Sequence, residues 1–310
     1  RWQGQAAYLL PPLAHIDNGP SGFVFYPGIG LPEEFKDHFF LCHFKGQASV
    51  SGIKTFSLNP NGATFEMVND RILAWNILPT DVEFGPDGSL YWTDWVHGWP
   101  KSNMGRIYKL TPESGGNQAL ANQTRLLFLD GMKNRSTSEL CELLAHADQR
   151  IRLDAQYELA ERGVSVIRDL SLVLRHSQHQ LQRIHCIWAL DQIASTSKKH
   201  AGVGAYLIPY LNDQDQEMRA QAAKALDQNW GDDSLTHSLK PLLEDESLRV
   251  RFFAAQSLGK LGHKDAASWI LEMIEANADQ DLYLRHAGVT ALARIGNQEA
   301  LSAASSHDSL

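Results

Sequence analysis

Several features that commonly identify a class of protein are scarce in this sequence. It contains three cysteines, Cys42, Cys141 and Cys186, and their wide spacing excludes a Cys-x-x-Cys metal or redox pair and a local disulfide framework. No stretch approaches the roughly 18 consecutive apolar residues that a membrane-spanning helix requires. We therefore expect three buried free thiols and no membrane span.

Positive charge is also scarce. The chain has 28 Lys and Arg against 36 Asp and Glu, a formal net charge of -8, and its basic residues form no stripe. Such a chain repels a phosphate backbone, so nucleic acid is not an expected partner.

Proline is nearly confined to the first part of the chain, where ten of the 12 prolines lie between Pro11 and Pro112. Short runs of β-forming residues alternate there with turn sequences at 59–62 (Asn-Pro-Asn-Gly) and 85–88 (Gly-Pro-Asp-Gly), in which Pro presets the second position and Gly ends the turn. The predicted strands are 23–26, 39–44, 55–58, 82–84, 90–94 and 106–110. This pattern is typical of a sandwich, barrel or propeller.

The second part of the chain is repetitive. Arginines recur at spacings of 31, 36, 32 and 34 residues, a period typical of helical-pair arrays. Each is followed by a small residue at position three and a leucine at position seven, which lie on one face of a helix. The arginines are Arg152, Arg183, Arg219, Arg251 and Arg285, and the leucines are Leu159, Leu190, Leu226, Leu258 and Leu292. The repeat predicts five helix pairs within residues 139–301.

Three aspartates, Asp148, Asp215 and Asp281, stand four residues ahead of a repeat arginine. An aspartate there can cap the second helix of its pair, and the arginine can pair with it or with its counterpart in the next repeat. A charged binding groove is the functional alternative. We favour the structural interpretation.

The pattern at residues 242–262, with Leu242-Leu243, Val250-Arg251, Ala254-Ala255 and Leu258-Gly259, resembles the HEAT-like repeats of bilin lyases and many bacterial scaffold proteins. The resemblance implies an α-α solenoid over about half of the chain. A bilin lyase-like activity rests on this resemblance alone.

The first part carries a second resemblance. Gly19-Pro20-Ser21-Gly22, Phe84-Gly85-Pro86-Asp87-Gly88 and Gly105-Arg106-Ile107-Tyr108 resemble the terminal blades of the glucose/sorbosone dehydrogenase family of β-propellers. The order of propeller and then HEAT repeats resembles the large membrane-bound dehydrogenase-like proteins of planctomycetes, which often continue into a cytochrome c domain. The resemblance implies an extracytoplasmic (periplasmic or secreted) parent that oxidises a sugar or alcohol, with a quinone or c-type haem as cofactor.

The chain departs from that family's pattern in two places. Leu78-Pro79-Thr80 stand where quinone-binding relatives carry Arg-x-Arg, and Phe39 stands where a Cys-x-x-Cys-His haem motif ending in Cys42-His43 needs its first cysteine. The segment also supplies about three blades, fewer than the four to eight of a closed ring. We therefore expect no cofactor in this chain and the parent's catalytic groups in earlier blades.

Five polar residues form the candidate catalytic cluster of the first part. They are Asp81, Asp94, His97, Lys101 and Arg106, on strand ends and loops of the kind that could polarise a sugar hydroxyl. The alternative, which we favour, is that Asp81 and Asp94 accept hydrogen bonds from backbone N–H groups while Arg106 pairs with one of them.

Three further groups of residues leave alternatives open. His15 and Asp17 line a pocket or cap a loop. Four tryptophans form a sugar-stacking platform or fill the core, which we prefer for Trp92; the others are Trp75, Trp95 and Trp99. Three histidines lie close in sequence, namely His176, His179 and His185. Because residues 177–182 read as a turn and zinc needs three or four ligands, we expect these histidines to be exposed and to bind no metal.

These patterns predict a mixed β-then-α chain. Residues 1–125 form the terminal blades of an incomplete β-propeller, 126–138 a linker, 139–301 five HEAT-like helix pairs and 302–310 a polar tail. The leading hypothesis is a fragment of a sugar or alcohol dehydrogenase-like protein, inactive by itself, whose solenoid is a scaffold or binds a partner; the parent propeller's partner is a carbohydrate. The alternative is a non-catalytic HEAT-repeat interaction module with a β docking cap and a protein partner on the concave face.

Overall fold

The computed structural model describes residues 9–16, 18–98, 103–112, 117–196, 198–226 and 234–304. Strands occupy the chain as far as Leu110, and α-helices follow from Gln118. The change from β to α structure therefore falls where the proline content of the sequence changes.

The first β-sheet is a four-stranded antiparallel meander. Its strands lie side by side in sequence order, as β1 Pro20–Phe25, β2 His38–His43, β3 Gly52–Asn61 and β4 Thr64–Trp75. The predicted turn at 59–62 is displaced, because β3 continues to Asn61 and the hairpin loop consists of Gly62 and Ala63. Strand β4 was not predicted, since its register with β3 is irregular and its middle carries the polar run 69–71.

The second β-sheet is a three-stranded antiparallel meander. Its strands are β5 Pro79–Phe84, β6 Leu90–Asp94 and β7 Arg106–Leu110. The turn between β5 and β6 is the predicted one, with the N–H of Gly88 donating to the carbonyl oxygen of Gly85 at 3.0 Å.

The two sheets bury an apolar layer between them. Phe40 and Ile53 of the first sheet and Val82, Phe84 and Leu90 of the second belong to one core cluster. The rings of Phe40 and Phe84 meet edge to face, with centroids 5.4 Å apart. Apolar burial of this kind is what holds the sheets together.

The prediction of terminal propeller blades stays a hypothesis. The seven strands form two sheets, fewer than the three blades expected, and across the described residues these sheets close into neither a barrel nor a propeller ring. The long β3–β4 hairpin, whose second strand was not predicted, extends the first sheet and does not start another one. The β-then-α order and the helical solenoid are as predicted.

Helix α1 (Gln118–Asp130) precedes five pairs of helical elements. In the described part of the chain, the first elements of the pairs are α2 Thr137–Leu143, α4 Ile167–His176, the 3-10 segments Lys198–Tyr206 and Ile208–Asn212, α7 Ser234–Leu239 followed by the 3-10 segment Lys240–Glu244, and α9 Ala266–Asn277. The second helices are α3 Gln149–Glu161, α5 Gln180–Thr196, α6 Gln216–Ala225, α8 Leu248–Leu261 and α10 Leu282–Ile295, followed by α11 Gln298–Ala304.

The segment 126–138, which the sequence predicted as a linker, is partly helical. Helix α1 continues to Asp130 and α2 begins at Thr137. The side chain of Asn117 caps α1 by accepting from the N–H of Leu120 at 3.0 Å. Leu127 belongs to the solenoid core, and this burial explains why α1 extends into the predicted linker.

The repeat leucines form the core of the solenoid, as predicted. Leu159, Leu190, Leu226 and Leu258 are fully buried, and Leu292 is 3% exposed. The small residues four positions before them are buried as well. Facing second helices therefore approach closely along one continuous apolar stripe.

The aspartates and arginines of the repeat form the predicted scaffold. Asp148 and Asp215 accept from the N–H groups of Arg150 and Glu217, at 2.8 and 2.9 Å. Arg219 donates two hydrogen bonds to Asp245 of the next pair, at 2.7 and 2.9 Å. These contacts cap the second helices and join neighbouring pairs.

Two further expectations concern the thiols and the membrane. Cys42, Cys141 and Cys186 are free and buried, and burial raises the pKa of the Cys42 thiol to about 12. Of the helices in the described ranges, none combines the length and the apolar character that crossing a bilayer requires.

Candidate functional site

The four described residues of the predicted polar cluster do not share one hydrogen-bond partner. Asp94 is 5% exposed, and its Oδ1 accepts from the N–H groups of Leu78 and Val96 at 2.8 and 3.1 Å. The carboxylate therefore holds the backbone at the end of β6, which is the structural role that we favoured. Lys101 lies outside the described residues.

The remaining members of the cluster lie on the surface. Asp81 is exposed and accepts from the N–H of Val82 at 2.9 Å, and His97 is exposed beyond β6. Arg106 is opposite Asp94 in the β6–β7 ladder, but its guanidinium donates to the hydroxyl of Tyr108 at 3.2 Å. That hydrogen bond raises the pKa of Arg106. Tyr108, not a carboxylate, is thus its partner, and the catalytic assignment stays a prediction.

The aromatic residues of the β part are mainly structural. Trp92 packs on the core and stacks on Tyr108 with centroids 5.2 Å apart, as preferred from the sequence. The indole N–H of Trp75 donates to the carbonyl oxygen of Ser49 at 3.2 Å, whereas Trp95 is 39% exposed. Trp99 and Asp17 lie outside the described residues, and His15 is exposed ahead of β1.

The three clustered histidines have two different environments. His176 and His179 are exposed, as predicted, but His185 is 2% exposed. Its Nε2 accepts from Nε of Arg152 at 3.2 Å, and its Nδ1 lies 2.6 Å from Oε1 of Gln156. The prediction of exposure for His185 was wrong because this residue lies on the face of α5 that packs against Arg152 and Gln156 of α3. No group of side chains suited to a metal ion occurs among the described residues.

The β part docks on the first helix pair. The guanidinium of Arg150, at the start of α3, donates to the carbonyl oxygens of Phe84 and Gly85 and forms a 2.7 Å ion pair with Asp148. The N–H of Gln149 donates to the carbonyl oxygen of Pro27 at 2.7 Å. We call this contact the first seat.

The β3–β4 hairpin docks on the last two pairs, which we call the second seat. The N–H of Ala63 donates to Oδ2 of Asp281 at 2.8 Å, and Ala63 is 4% exposed within the solenoid core. The guanidinium of Arg249 lies over the ring of Phe65, 5.1 Å from its centroid. At Gly62, φ is +60°, and an added Cβ would lie 2.2 Å from Oδ2 of Asp281. The hairpin tip therefore fits closely against the N-terminal ends of α8 and α10.

A chain of hydrogen bonds links the second seat to the exposed side of the second helices. Arg249 donates to Glu217 at 2.8 and 3.1 Å, and Gln221 donates to the same carboxylate at 2.6 Å. The indole N–H of Trp188 then donates to Oε1 of Gln221 at 2.9 Å. This series of hydrogen bonds fixes the orientation of the indole ring, because each polar group in the series has a partner.

The second helices surround a depression of 320 Å³, which we call the second-helix face. Tyr157 is 53% exposed at its edge, and Trp188 is half-buried. Lys224 is exposed and lies over the ring of Phe253, 5.6 Å from its centroid. The face is lined by Leu153, Gln156, Tyr157, Trp188, Asp191, Gln192, Gln221, Lys224, Ala225 and Lys260. Sequence reasoning missed this surface, although three of its residues, Tyr157, Trp188 and Lys224, each lie five residues after a repeat arginine.

Comparison with known proteins defines the class of the helical part. A family model for HEAT repeats matches residues 204–283, from the third helix pair to the start of α10. This part of the chain is therefore a HEAT-type α-solenoid, as the repeat spacing predicted. No curated protein matches the sequence of the chain.

Two solved structures are similar to about the same share of the chain. An engineered protein determined by a structural genomics consortium aligns with a TM-score of 0.37 and 20% identity, over 56% of this chain and 91% of its own. A designed armadillo repeat protein in complex with a (KR)4 peptide aligns with a TM-score of 0.37 and 17% identity, over 56% of this chain and 93% of its own. The comparisons do not link the β-sheets to a dehydrogenase, so that resemblance stays a hypothesis.

Proposed function

We propose that this chain is a protein-interaction scaffold, in which the HEAT-type solenoid binds a protein partner and the β-sheets form a docked cap. The observation that carries the proposal is the second-helix face, where Tyr157 and Trp188 border a depression and the indole is already oriented by Gln221. Tyrosine, tryptophan and arginine are the residue types that most often dominate binding energy at protein interfaces.

The electrostatics of this face also favour a protein partner. Lys224 is exposed beside Tyr157 and Trp188, while Arg249 is paired with Glu217. The surface thus combines aromatic area, which is enriched at the centre of protein interfaces, with charged groups of the kind found at their rim. Because the scaffold groups beneath it are hydrogen-bonded to each other, little reorganisation is needed on binding.

Site-specific crosslinking in cells that express the protein tests this proposal. A photo-crosslinking amino acid replaces Tyr157 on the second-helix face, and a matched control replaces Ser268, which is exposed on α9. We expect discrete adducts with a protein from position 157 only, and a marked reduction by Lys224→Glu on the same face. Equal labelling from both positions, or none from position 157, would contradict the proposal.

A second candidate function is favoured by one observation, the meander order of both β-sheets, which propeller blades share. Under this hypothesis the chain is part of an extracytoplasmic dehydrogenase-like protein, and a quinone or haem and a carbohydrate belong to the parent. We expect the purified chain not to oxidise aldoses with added quinone and calcium, because its described polar candidates do not share one hydrogen-bond partner. Turnover that is lost in Arg106→Ala would instead make the predicted cluster a catalytic site.

A further inference from the structure

A second surface depression lies on the side of the first helices, between α4 and the 3-10 segments of the third pair. Its volume is 750 Å³, and we call it the α4 groove. Its lining residues are Arg168, Ser171, Leu172, Arg175, Arg183, Ala205, Tyr206, Pro209, Tyr210 and Asp213. It shares no residue with the second-helix face.

The groove exists because the third pair lacks a regular first helix. Residues 198–206 and 208–212 form 3-10 segments where the other pairs have an α-helix in whole or part. Gly202, Gly204 and Pro209 disfavour an α-helix here, since glycine loses backbone freedom and proline lacks an N–H donor. The narrower 3-10 segments leave space beside α4.

The groove carries positive charge that the protein does not neutralise. Arg168 and Arg175 are exposed on α4, and among the described residues neither guanidinium has an ion-pair partner. Asp213, the carboxylate in the lining, is already paired with Arg183. The guanidinium of Arg183 also lies 5.6 Å from the ring centroid of Tyr210. The guanidinium groups of Arg168 and Arg175 therefore remain available to an anionic ligand, in a chain whose net charge is -8.

The spacing of these cations indicates the shape of a ligand. Arg168, Leu172 and Arg175 follow the i, i+4, i+7 pattern of one helix face, so the two arginines are about 10.5 Å apart along the axis. A peptide in the extended polyproline II conformation has three residues per turn and rises about 3.1 Å per residue, so side chains three positions apart lie on one face, about 9 Å from each other. Leu172, between the arginines on α4, and Tyr206, on the 3-10 side of the groove, are 47% and 46% exposed and offer apolar surface.

We propose that the α4 groove binds an acidic segment of a protein partner in the extended polyproline II conformation, with carboxylates three positions apart on Arg168 and Arg175 and an apolar side chain between them on Leu172 and Tyr206. Guanidinium groups bind carboxylates through paired hydrogen bonds, which supply specificity as well as attraction. The groove would thus add a second contact to the scaffold, on a different side from the second-helix face.

Fluorescence polarisation with the full chain tests the proposal. The probe is a labelled peptide of about twelve residues whose glutamates are three positions apart and separated by leucine and proline, which favours the polyproline II conformation. A peptide with glutamine at the same positions is the ligand control. We expect the glutamate peptide to bind about tenfold more tightly than the glutamine peptide, and less tightly at high salt.

Matched protein variants assign the binding to the groove. Arg168→Gln combined with Arg175→Gln is expected to weaken binding by about tenfold. Arg125→Gln combined with Lys264→Gln changes the net charge by the same amount at exposed positions elsewhere. This control is expected to change the affinity for the peptide by less than about twofold. Arg168→Lys with Arg175→Lys restores part of the affinity, because charge is kept and the bidentate geometry is lost.

Three results would overturn the proposal: equal binding of the glutamate and glutamine peptides, equal loss in the two double variants, or displacement of the peptide by single-stranded DNA at a lower concentration than by unlabelled peptide. The last result would assign the groove to a phosphate backbone. The crosslinking experiment at position 157 tests the scaffold proposal independently. A negative result with the peptide would therefore overturn only the proposal for the α4 groove.

Discussion

The backbone N–H of Ala63 donates a hydrogen bond to Oδ2 of Asp281, which lies 218 positions later in the chain. The other oxygen of the same carboxylate, Oδ1, accepts from the N–H of Leu284 at 2.8 Å. One side chain therefore caps α10 and holds the β3–β4 hairpin against the solenoid.

This double role predicts an effect of Asp281→Ala on both units. We expect a loss of about 2 to 4 kcal/mol in the free energy of unfolding, since a helix cap and a charge-assisted hydrogen bond are removed together. Urea unfolding measures the loss, and hydrogen exchange at the amide of Ala63 reports the hairpin. The control Asp215→Ala removes a cap and a hydrogen bond from the exposed Gln180 without touching the hairpin, and should cost about 1 to 2 kcal/mol. Unchanged protection at Ala63 would contradict this account.

The fit of the hairpin tip predicts the effect of Gly62→Ala. Gly62 and Gly296 both have positive φ, +60° and +63°, but an added Cβ at Gly296 meets nothing within 4 Å. Gly296→Ala therefore measures backbone strain alone, about 1 kcal/mol. We expect Gly62→Ala to cost at least about 1 kcal/mol more, because its Cβ overlaps the Asp281 carboxylate. Equal thermal unfolding of the two variants would show that the hairpin is not seated there.

Burial of His185 predicts that stability depends on pH. Burial and the nearby Arg152 lower the pKa of His185 from 6.5 to about 4. The folded state binds this proton less readily than the unfolded state, so the contribution to stability is complete above about pH 6.5 and is lost as the pH falls toward 4. The total is about 3 kcal/mol.

Urea unfolding at several pH values between 7 and about 4 measures this loss. His185→Gln should flatten the pH dependence, whereas His179→Gln, which changes an exposed side chain, should leave it unchanged. A wild-type slope that persists in His185→Gln would assign the effect to another group.

The repeat leucines predict the usual cost of a core cavity. Leu258 is fully buried and Leu129 is 71% exposed. Leu258→Ala should lower the free energy of unfolding by about 2 to 5 kcal/mol, and Leu129→Ala by less than about 0.5 kcal/mol. Guanidinium denaturation of both variants checks the expectation, and a small effect at Leu258 would mean that the core face is misassigned.

The solenoid could be predicted because its signals are local and repeated. A leucine lies seven residues after each repeat arginine, as at Leu226 and Leu258, so the same buried helix face is indicated in all five repeats. The caps Asp148 and Asp215 mark where their second helices begin. Errors at one position are then corrected by the others. The burial of His185 was missed because it depends on contacts with Arg152 and Gln156 of the preceding pair, which no local pattern shows.

The β part and the site were harder to predict for a different reason. The hydrogen bond that fixes the tip of the β3–β4 hairpin joins Ala63 to Asp281. A contact between residues so far apart in the sequence cannot be predicted from a local pattern. Likewise, the turn motifs around Gly88 identify a meander but not the number of sheets. The orientation of Trp188 depends on Gln221 from the next pair, so it follows only from the packed structure.

The two seats of the β part also bear on the mechanics of the solenoid. An array of stacked repeats is elastic along its length, because each repeat contacts only its neighbours. Here Arg150 near one end and Asp281 near the other are both bonded to the same β part. Any lengthening or unwinding of the superhelix that separates these two points must break one of the two seats. The two seats therefore restrain the length of the array, so that the two proposed binding surfaces keep a fixed spacing between repeats.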